Sequence, residues 1–254
     1  MNRTGLIIAL VIAAVTGVIF ALFPDIELQI ARPFYEFIDV NHNVFSLRFY
    51  EPFAWVRDSA LWFSALLVAP AVAALLIKLI HPRRKMLVSG RAVVFLISTL
   101  VLGPGLLVNV TLKNHWGRPR PVEVTQFEGT EHYVSWWDPR GECDKNCSFV
   151  SGDVAGAIWT MAPAALAPPQ WRALAYGGSL ALGAVIAALR VMQGGHFVSD
   201  VIFAGVFTFL IIWVVYGLIY RWRRTRLSDE AVERSLERFS ASIAELFGKR
   251  KSEL

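Results

Sequence analysis

The stretch that decides the fold is "AVVFLISTLVLGPGLLVNVTLKNHWGRPRP", residues 92–121, in which an apolar run meets a cluster of cations. The run 92–112 contains no charged residue, and it is long enough to cross a hydrocarbon core, which takes about 20 helical residues. One lysine, one histidine and two arginines follow within the segment 113–121. Charges at the end of a membrane helix are costly and are usually kept for a function. The stretch therefore predicts a membrane helix whose end carries an anion site.

The composition of the whole chain indicates an integral membrane protein. Its 254 residues are 55% hydrophobic and only 18% charged, whereas soluble domains have about 25% charged residues. We predict an all-α fold with six transmembrane helices. The six predicted spans cover residues 6–23, 59–80, 92–112, 150–167, 171–190 and 198–220. A kink is expected at Pro163 in the fourth span.

The positions of lysine and arginine in the short connections predict the orientation of this bundle. Arg3, the segment 81–85, Arg172 and the segment 221–226 all fall on one side of six spans, and such basic connections usually face the cytoplasm. The loop 113–149 and the turn 190–200 then share the opposite side. We therefore expect a multi-pass membrane protein whose polar segments face the non-cytoplasmic side.

Two further elements are expected outside the spans. The loop after the first span should contain an interfacial helix through "RPFYEFIDV", residues 32–40. Residues 1–226 should form the membrane domain and residues 227–254 a cytoplasmic tail. In that tail, apolar residues at helical spacing predict an amphipathic helix that begins after Ser228 and ends at Gly248. The helix could lie on the membrane surface, pack against a partner or pack on its own protein, and the sequence leaves all three open.

Three polar segments, 113–121, 147–157 and 189–200, carry the candidate chemistry. The first offers guanidinium groups that match phosphate oxygens, although a patch of membrane-edge cations would look similar. The second places Ser151, Gly152 and Asp153 at a helix start, where free N–H groups bind anions, or where a serine is simply an N-cap. In the third, His196 and Asp200 are four residues apart, so a carboxylate could hold the imidazole ring.

Taken together, the three segments resemble the type-2 phosphatidic-acid-phosphatase superfamily of membrane enzymes. The resemblance rests on Lys113, six residues, then Arg120-Pro121; on Ser151-Gly152; and on Arg190, five residues, His196, three residues, Asp200. It implies a six-helix core and a phosphatase that needs no metal and no cofactor. The implied phosphate-binding residues are Lys113, Arg120, Ser151, Gly152 and Arg190. His196 would be the nucleophile, which forms a phosphohistidine, and Asp200 would orient it.

One departure from the family pattern concerns the group that protonates the leaving alkoxide. The family has a histidine where this chain has Asp153. Asp153 could be the general acid, or it could bind a substrate hydroxyl or amine while water, His115 or His132 delivers the proton. In a third hypothesis the protein binds phosphate and turns over slowly. Together with Arg118, His115 is kept as an accessory candidate in the first segment.

With Asp153 in place of the histidine, the chain also resembles the branch that contains bacterial lipid A phosphatases, particularly the 4′-phosphatases. This resemblance implies a membrane glycolipid phosphate as substrate, with the bilayer and no nucleic acid as partner. It also implies a location in the bacterial inner membrane with the active site facing the periplasm. Undecaprenyl pyrophosphate, phosphatidylglycerol phosphate and phosphatidic acid would suit the same residues, as would transfer of the phosphate to another lipid. Two interpretations come from other classes of protein. The chain could be a lipid-phosphate transporter or binding protein, or it could be a structural membrane protein.

Cys143 and Cys147 lie in the loop that the topology places in the periplasm. Thiols in that compartment are usually oxidised, and three residues between the cysteines allow a small disulfide loop. We therefore predict a disulfide between them, with two free thiols as the alternative.

Overall fold

A computed structural model describes residues 2–39 and 42–252, and nearly all of the regular structure in them is helical. The helices are α1 (Arg3–Leu22), α2 (Asp25–Ala31), α3 (Glu51–Ile80), α4 (Gly90–Leu100), α5 (Lys113–His115), α6 (Gly152–Trp159), α7 (Met161–Leu166), α8 (Pro169–Met192), α9 (Val198–Tyr216) and α10 (Asp229–Ser252). Two π-helical segments, Val101–Leu112 and Gly217–Arg221, continue α4 and α9. The described part of the chain therefore confirms the predicted helical class.

Five of these helical stretches are long and apolar enough to cross a membrane. They are Arg3–Leu22, Glu51–Ile80, Gly90–His115, Pro169–Met192 and Val198–Arg221. Each corresponds to a predicted span, although α3 begins eight residues earlier than the predicted start at Ser59. The protein is thus a polytopic membrane protein.

The predicted fourth span is a pair of short helices, α6 and α7, which does not qualify as a membrane-crossing helix among the described residues. All residues from Val154 to Trp159 are buried, because α6 packs against α3, α8, α9 and the π-helical part of α4. The chain breaks at Thr160, whose hydroxyl donates to the Ala157 carbonyl at 2.6 Å, and not at Pro163. The apolar run therefore lies in the centre of the helix bundle, and it joins the site end, where Gly152 begins α6, to the opposite end, where Pro169 begins α8.

Small residues explain how so many helices approach α6. Gly156 exposes its backbone carbonyl to the Ser64 hydroxyl of α3, which donates to it at 3.1 Å. A Cβ atom on Gly183 of α8 would lie 2.2 Å from the Ile158 side chain, so only glycine allows this contact. Close backbone approach through small residues is the usual basis of helix packing in membranes.

The interfacial helix expected over residues 32–40 lies earlier in the chain. The helix is α2, and it is followed by a 3₁₀ turn at Arg32–Phe34 and by a short antiparallel hairpin of β1 (Glu36–Asp39) and β2 (His42–Val44). Residue 40 lies outside the described residues. Pro33 lacks the N–H that would continue the hydrogen bonding of α2, which explains why the α-helix gives way to the 3₁₀ turn there.

The C-terminal helix α10 packs on its own protein, which was one of the three predicted alternatives. The Lys78 ammonium of α3 is buried and binds Glu237 at 2.7 Å and Glu233 at 3.3 Å. Arg91 of α4 binds Asp229 at 3.0 Å. The expected N-cap is present, because the Ser228 hydroxyl accepts from the Ala231 amide at 3.1 Å. The expected end at Gly248 is wrong, since α10 continues to Ser252.

Candidate active site

The centre of the site is the imidazole of His196, which lies in the turn between α8 and α9 and is fully buried. Its Nδ1 atom is 2.7 Å from the Ser148 carbonyl oxygen. A carbonyl only accepts hydrogen bonds, so Nδ1 carries the proton and Nε2 carries the free lone pair. Nε2 is buried and has no hydrogen-bond partner within the described part of the chain. The histidine therefore presents a nucleophilic nitrogen to the site.

Charge and burial keep this histidine neutral. Burial lowers the pKa of His196 well below its usual range, and the positive charges of Arg190, Lys113 and Arg120 lower it further. The imidazole is thus unprotonated at neutral pH. A protonated ring would have no lone pair for attack on phosphorus.

Asp200 holds His196 indirectly, and not by the direct bond that the spacing suggested. The Asp200 Oδ2 atom is 4.0 Å from His196 Nδ1, which exceeds hydrogen-bond distance. The carboxylate instead accepts from the Ser148 hydroxyl at 2.5 Å and from the Phe197 amide at 2.8 Å. Asp200 therefore fixes Ser148, and the carbonyl of Ser148 fixes the ring.

Arg118 has a different role from the accessory phosphate-binding role that was considered for it. Its guanidinium is fully buried and binds Asp200 Oδ1 at 2.5 Å and Glu27 Oε2 at 2.6 Å. Burial alone would lower the pKa of Arg118, but the carboxylates of Asp200 and Glu27 outweigh it and raise that pKa. Removal of one partner from such a buried pair strongly destabilises a folded protein, by about 3–5 kcal/mol. Arg118 is therefore a positioning residue for Asp200.

Glu27 of α2, which sequence reasoning missed, completes this buried network. It accepts from the Ser199 amide at 2.9 Å, at the start of α9, and from the Tyr133 hydroxyl at 3.0 Å. Burial and the charge of Glu27 raise the pKa of Tyr133, so the hydroxyl stays protonated and remains a donor. The only sequence signal was an acid between Ile26 and Leu28, where a charge needs a partner.

The predicted phosphate-binding cations approach the site from two sides. The Lys113 ammonium binds the Asn146 side chain at 3.1 Å, and the Arg120 guanidinium donates to the Asn146 carbonyl at 2.6 Å. Arg190, at the end of α8, packs on Gly195, where a Cβ atom would lie 2.5 Å from its Nη2. Lys113 and Arg120 thus share the loop residue Asn146, whose role no sequence pattern indicated.

The start of α6 brings the second predicted segment to the same place. The Ser151 hydroxyl accepts from the Val154 amide at 3.4 Å and so acts as the N-cap of α6. Gly152 lies against Asn109, where a Cβ atom would be 2.6 Å from the amide oxygen and 3.5 Å from the Lys113 side chain. Asn109 belongs to the π-helical segment, and its amide donates to the Pro104 carbonyl at 2.7 Å. Such wide turns inside α-helices are frequent at functional sites.

The three candidate proton donors differ in their distance from the site and in their hydrogen-bond partners. Asp153 lies at the site, because its Oδ2 atom is 3.0 Å from Arg190 Nε. His115 is exposed, and its ring bonds the Thr111 carbonyl of the same helix at 2.8 Å. His132 is also exposed and pairs with Glu142 at 3.0 Å. Of the three proposed proton donors in the chain, only Asp153 is therefore held beside a predicted phosphate ligand.

The loop that carries Asn146 and Ser148 is tied down on both sides. Cys143 and Cys147 form a disulfide with their Cα atoms 5.7 Å apart, as the predicted topology suggested. The Cys147 amide donates to the Lys113 carbonyl at 2.9 Å, and the Ser148 amide donates to the Arg118 carbonyl at 2.8 Å. In the described residues, no group of three or more His, Cys, Asp and Glu side chains is placed to hold a metal ion.

A neutral, buried imidazole near three cations, at one end of a membrane helix bundle, defines a membrane enzyme that acts on phosphate esters. Residues 91–224 match the model of the PAP2 superfamily, and this chain belongs to that superfamily. It is therefore a lipid phosphatase, a phosphoric monoester hydrolase.

Curated relatives support this assignment. The chain is 36% identical over 227 residues to a protein named lipid A 4′-phosphatase from Francisella tularensis subsp. novicida, which covers 87% of this chain and 98% of the relative. Proteins of the same name from Rhizobium leguminosarum and Rhizobium etli are 41% and 42% identical over 106 and 105 residues. These two matches cover 42% and 41% of this chain, and 46% and 41% of the relatives. No solved structure matches the chain.

Proposed function

We propose that this protein removes the 4′-phosphate of lipid A at the periplasmic face of the bacterial inner membrane. The proposal depends on the Nε2 atom of His196, which has no hydrogen-bond partner in the described part of the chain. This atom lies in the electrostatic field of Lys113, Arg120 and Arg190. The name and the long coverage of the Francisella relative favour lipid A as the substrate. The disulfide in the site loop favours the periplasmic side, because thiols in that compartment are usually oxidised.

The reaction follows from this geometry in two steps. The Nε2 lone pair attacks phosphorus, an N–P bond forms, and the P–O bond to the sugar breaks. The alkoxide that leaves takes a proton from Asp153 or from water. Water then attacks the phosphohistidine, so that inorganic phosphate is released and the neutral imidazole is restored. The three cations stabilise the charge that accumulates on the phosphate oxygens, which is the main source of rate enhancement in phosphoryl transfer.

Substitution of the nucleophile tests this chemistry. His196→Ala should release no phosphate from lipid A above background, while the purified protein keeps the thermal stability of a folded bundle. His81→Ala, an exposed histidine in the connection between α3 and α4, serves as the matched control and should remain active. Phosphate release by His196→Ala at the rate of the control would exclude His196 as nucleophile.

Trapping the intermediate separates an enzyme from a transporter or binding protein. Lipid A labelled in the phosphate should give an acid-labile phosphoprotein after rapid quenching, and the His196→Ala variant should give none. A protein that only binds or carries the lipid would bind label without forming the covalent adduct.

The substrate is tested with a panel of lipids. Lipid A, undecaprenyl pyrophosphate, phosphatidylglycerol phosphate and phosphatidic acid are each assayed for phosphate release and analysed by mass spectrometry of the lipid product. We expect the highest kcat/KM for lipid A, with loss of the 4′-phosphate. A higher value for another lipid would reassign the substrate without changing the chemistry, and a phosphorylated acceptor lipid would reveal phosphate transfer.

A further inference from the structure

A second set of cations lies beside the predicted phosphate ligands. Arg120 and Arg190 line a cavity of about 210 Å³, and two further arginines, Arg48 and Arg57, line the same cavity. Arg48 lies in a short 3₁₀ turn, Ser46–Phe49, and Arg57 lies in the second turn of α3. Both stand outside residues 91–224, the part of the chain that matches the superfamily model. The part of the cavity wall formed by Arg48 and Arg57 therefore lies outside the region that matches the superfamily model.

The charges around this cavity are not balanced by the protein. Its other lining residues, Ala54, Val122, Gln193 and Gly195, carry no charge. Arg57 is paired with Asp58 at 2.9 Å and Arg190 with Asp153 at 3.0 Å. Arg48 has no carboxylate within ion-pair distance among the side chains that the structure describes, and Arg120 donates to a carbonyl. Four guanidinium groups around a concave space concentrate a positive potential, which favours an anion there.

One phosphate does not need all of these cations. A phosphomonoester has three strong acceptor oxygens, and Lys113, Arg120 and Arg190 together have more N–H donors than those oxygens can use. The cavity is also smaller than the roughly 300–1,000 Å³ that encloses a whole drug-sized ligand. It is suited to one part of a larger head group.

We propose that Arg48 and Arg57 form a second anion subsite, which binds a phosphate or carboxylate of the substrate head group other than the phosphate that is cleaved. This inference rests on the proposed function, because it assigns Arg120 and Arg190 to the cleaved phosphate. Guanidinium groups form paired hydrogen bonds with both kinds of anion. The subsite would make the enzyme prefer a glycolipid with a second negative charge over one with a single phosphate.

Three synthetic lipids test the preference. They are lipid A with the 4′-phosphate alone, lipid A with both phosphates, and lipid A with the 4′-phosphate and an acidic sugar. We expect the wild-type protein to have the higher kcat/KM for a lipid with a second anion. Preference for the second or the third lipid tells whether the group is a phosphate or a carboxylate. Equal kcat/KM values for all three lipids would overturn the proposal.

Variants assign the preference to the two arginines. The double substitution Arg48→Gln, Arg57→Gln should lower kcat/KM roughly 10- to 100-fold for the preferred lipid and leave the singly charged lipid nearly unchanged. Arg57→Lys keeps the charge and should lose less. Arg140→Gln, an exposed arginine paired with Asp138 on the loop, is the matched control and should change none of the values. Equal losses on all three lipids would show that the pair acts on the cleaved phosphate or anchors the membrane, which contradicts the subsite.

Binding measurements separate failure of the subsite from failure of the proposed function. Native mass spectrometry of the wild-type protein with each lipid reports affinity without turnover. If no phosphate is released but the second anion strengthens binding and the double variant abolishes that gain, the proposed function fails and the subsite stands. If phosphate is released from all three lipids and binding shows no preference, the subsite fails and the function stands.

Discussion

Asp153 is the residue at which this chain differs most from the pattern of its superfamily. Its Oδ2 atom is held 3.0 Å from Nε of Arg190, one of the predicted phosphate ligands, so the carboxyl group lies beside the predicted phosphate site. Its position supports a role as proton donor to the alkoxide, whereas the exposed His115 and His132 bond to groups outside the site.

The proton-donor role predicts that the effect of Asp153→Asn depends on the leaving group. A sugar alkoxide needs a proton, so kcat for lipid A should fall roughly 100-fold, within the usual range for general acid catalysis. An aryl phosphate, whose phenolate leaves without help, should be hydrolysed at close to the wild-type rate. Both substrates are assayed by phosphate release with the same purified protein. Equal losses on both would indicate instead that Asp153 serves to position Arg190.

The lowered pKa of His196 predicts a specific dependence of stability on pH. Below pH 6.5 the unfolded chain binds a proton on this histidine and the folded chain does not. The stability that the neutral, buried ring contributes is therefore fully present above the pKa of His196 in the unfolded chain. It declines by up to about 1.4 kcal/mol per pH unit as the pH falls towards the pKa of His196 in the folded chain.

Thermal unfolding in detergent at a series of pH values measures this effect. His196→Asn removes the titrating group while its amide can still donate to the Ser148 carbonyl. Between pH 7 and pH 5 we expect the apparent midpoint of the wild-type protein to fall more than that of His196→Asn. Parallel curves for the two proteins would mean that His196 titrates normally in the folded state.

At the scale of elements, the turn between α8 and α9 depends on a glycine that gives Arg190 its place. A Cβ atom on Gly195 would lie 2.5 Å from Arg190 Nη2. That nitrogen is the far end of a flexible side chain, so the guanidinium can move away at little cost in stability. The movement would displace a ligand of the cleaved phosphate.

Gly195→Ala should therefore lower kcat/KM for lipid A about 10-fold or more while the thermal midpoint stays close to that of the wild-type protein. Gly177→Ala is the matched control, because Gly177 lies in the same helix as Arg190 and a Cβ atom there would meet nothing within 4 Å. That control should keep full activity and gain slightly in stability, since alanine is favoured over glycine in a helix. A large loss of stability in Gly195→Ala would assign the glycine to folding.

The helices that contact lipid were predictable from the sequence, and the buried elements were predictable only in part. Long runs without charge located five membrane-crossing helices, because lipid requires apolar side chains around each helix. The same criterion did not show that the fourth predicted span is divided at Thr160 into α6 and α7, since a helix enclosed by other helices is equally apolar in both pieces. Hydropathy reports what surrounds a helix and not where its backbone hydrogen bonding breaks.

The candidate site was also predictable from the sequence only in part. The spacing of Lys113, Arg120, Arg190 and His196 identified the groups at the site. It did not reveal the Ser148 carbonyl that holds the ring or the Glu27 carboxylate that binds Arg118. Ser148 is 48 positions and Glu27 is 91 positions from the residue it contacts, and such contacts depend on how the helices pack. Periodicity along one helix carries no information on them.

At the scale of the whole molecule, the site and the tail lie at opposite ends of the bundle. Lys113, at the end of the α4 stretch, contacts the loop with the disulfide, whereas Arg91, at its beginning, binds the C-terminal helix α10. The segment Gly90–His115 crosses the membrane between these two points. If the basic connections face the cytoplasm, the site loop must face the periplasm.

Cysteine labelling in intact cells tests this orientation and the disulfide together. In the wild-type protein, Cys143 and Cys147 should react with a membrane-impermeant thiol reagent only after reduction, because both are bonded to each other. With both cysteines replaced by serine, a single cysteine at Arg140 should be labelled in intact cells. A single cysteine at Arg226 in the same background should be labelled only after the inner membrane is permeabilised. Labelling of residue 226 in intact cells with protection of residue 140 would place the site in the cytoplasm and exclude periplasmic hydrolysis, while labelling of the wild-type thiols without reductant would exclude the disulfide alone.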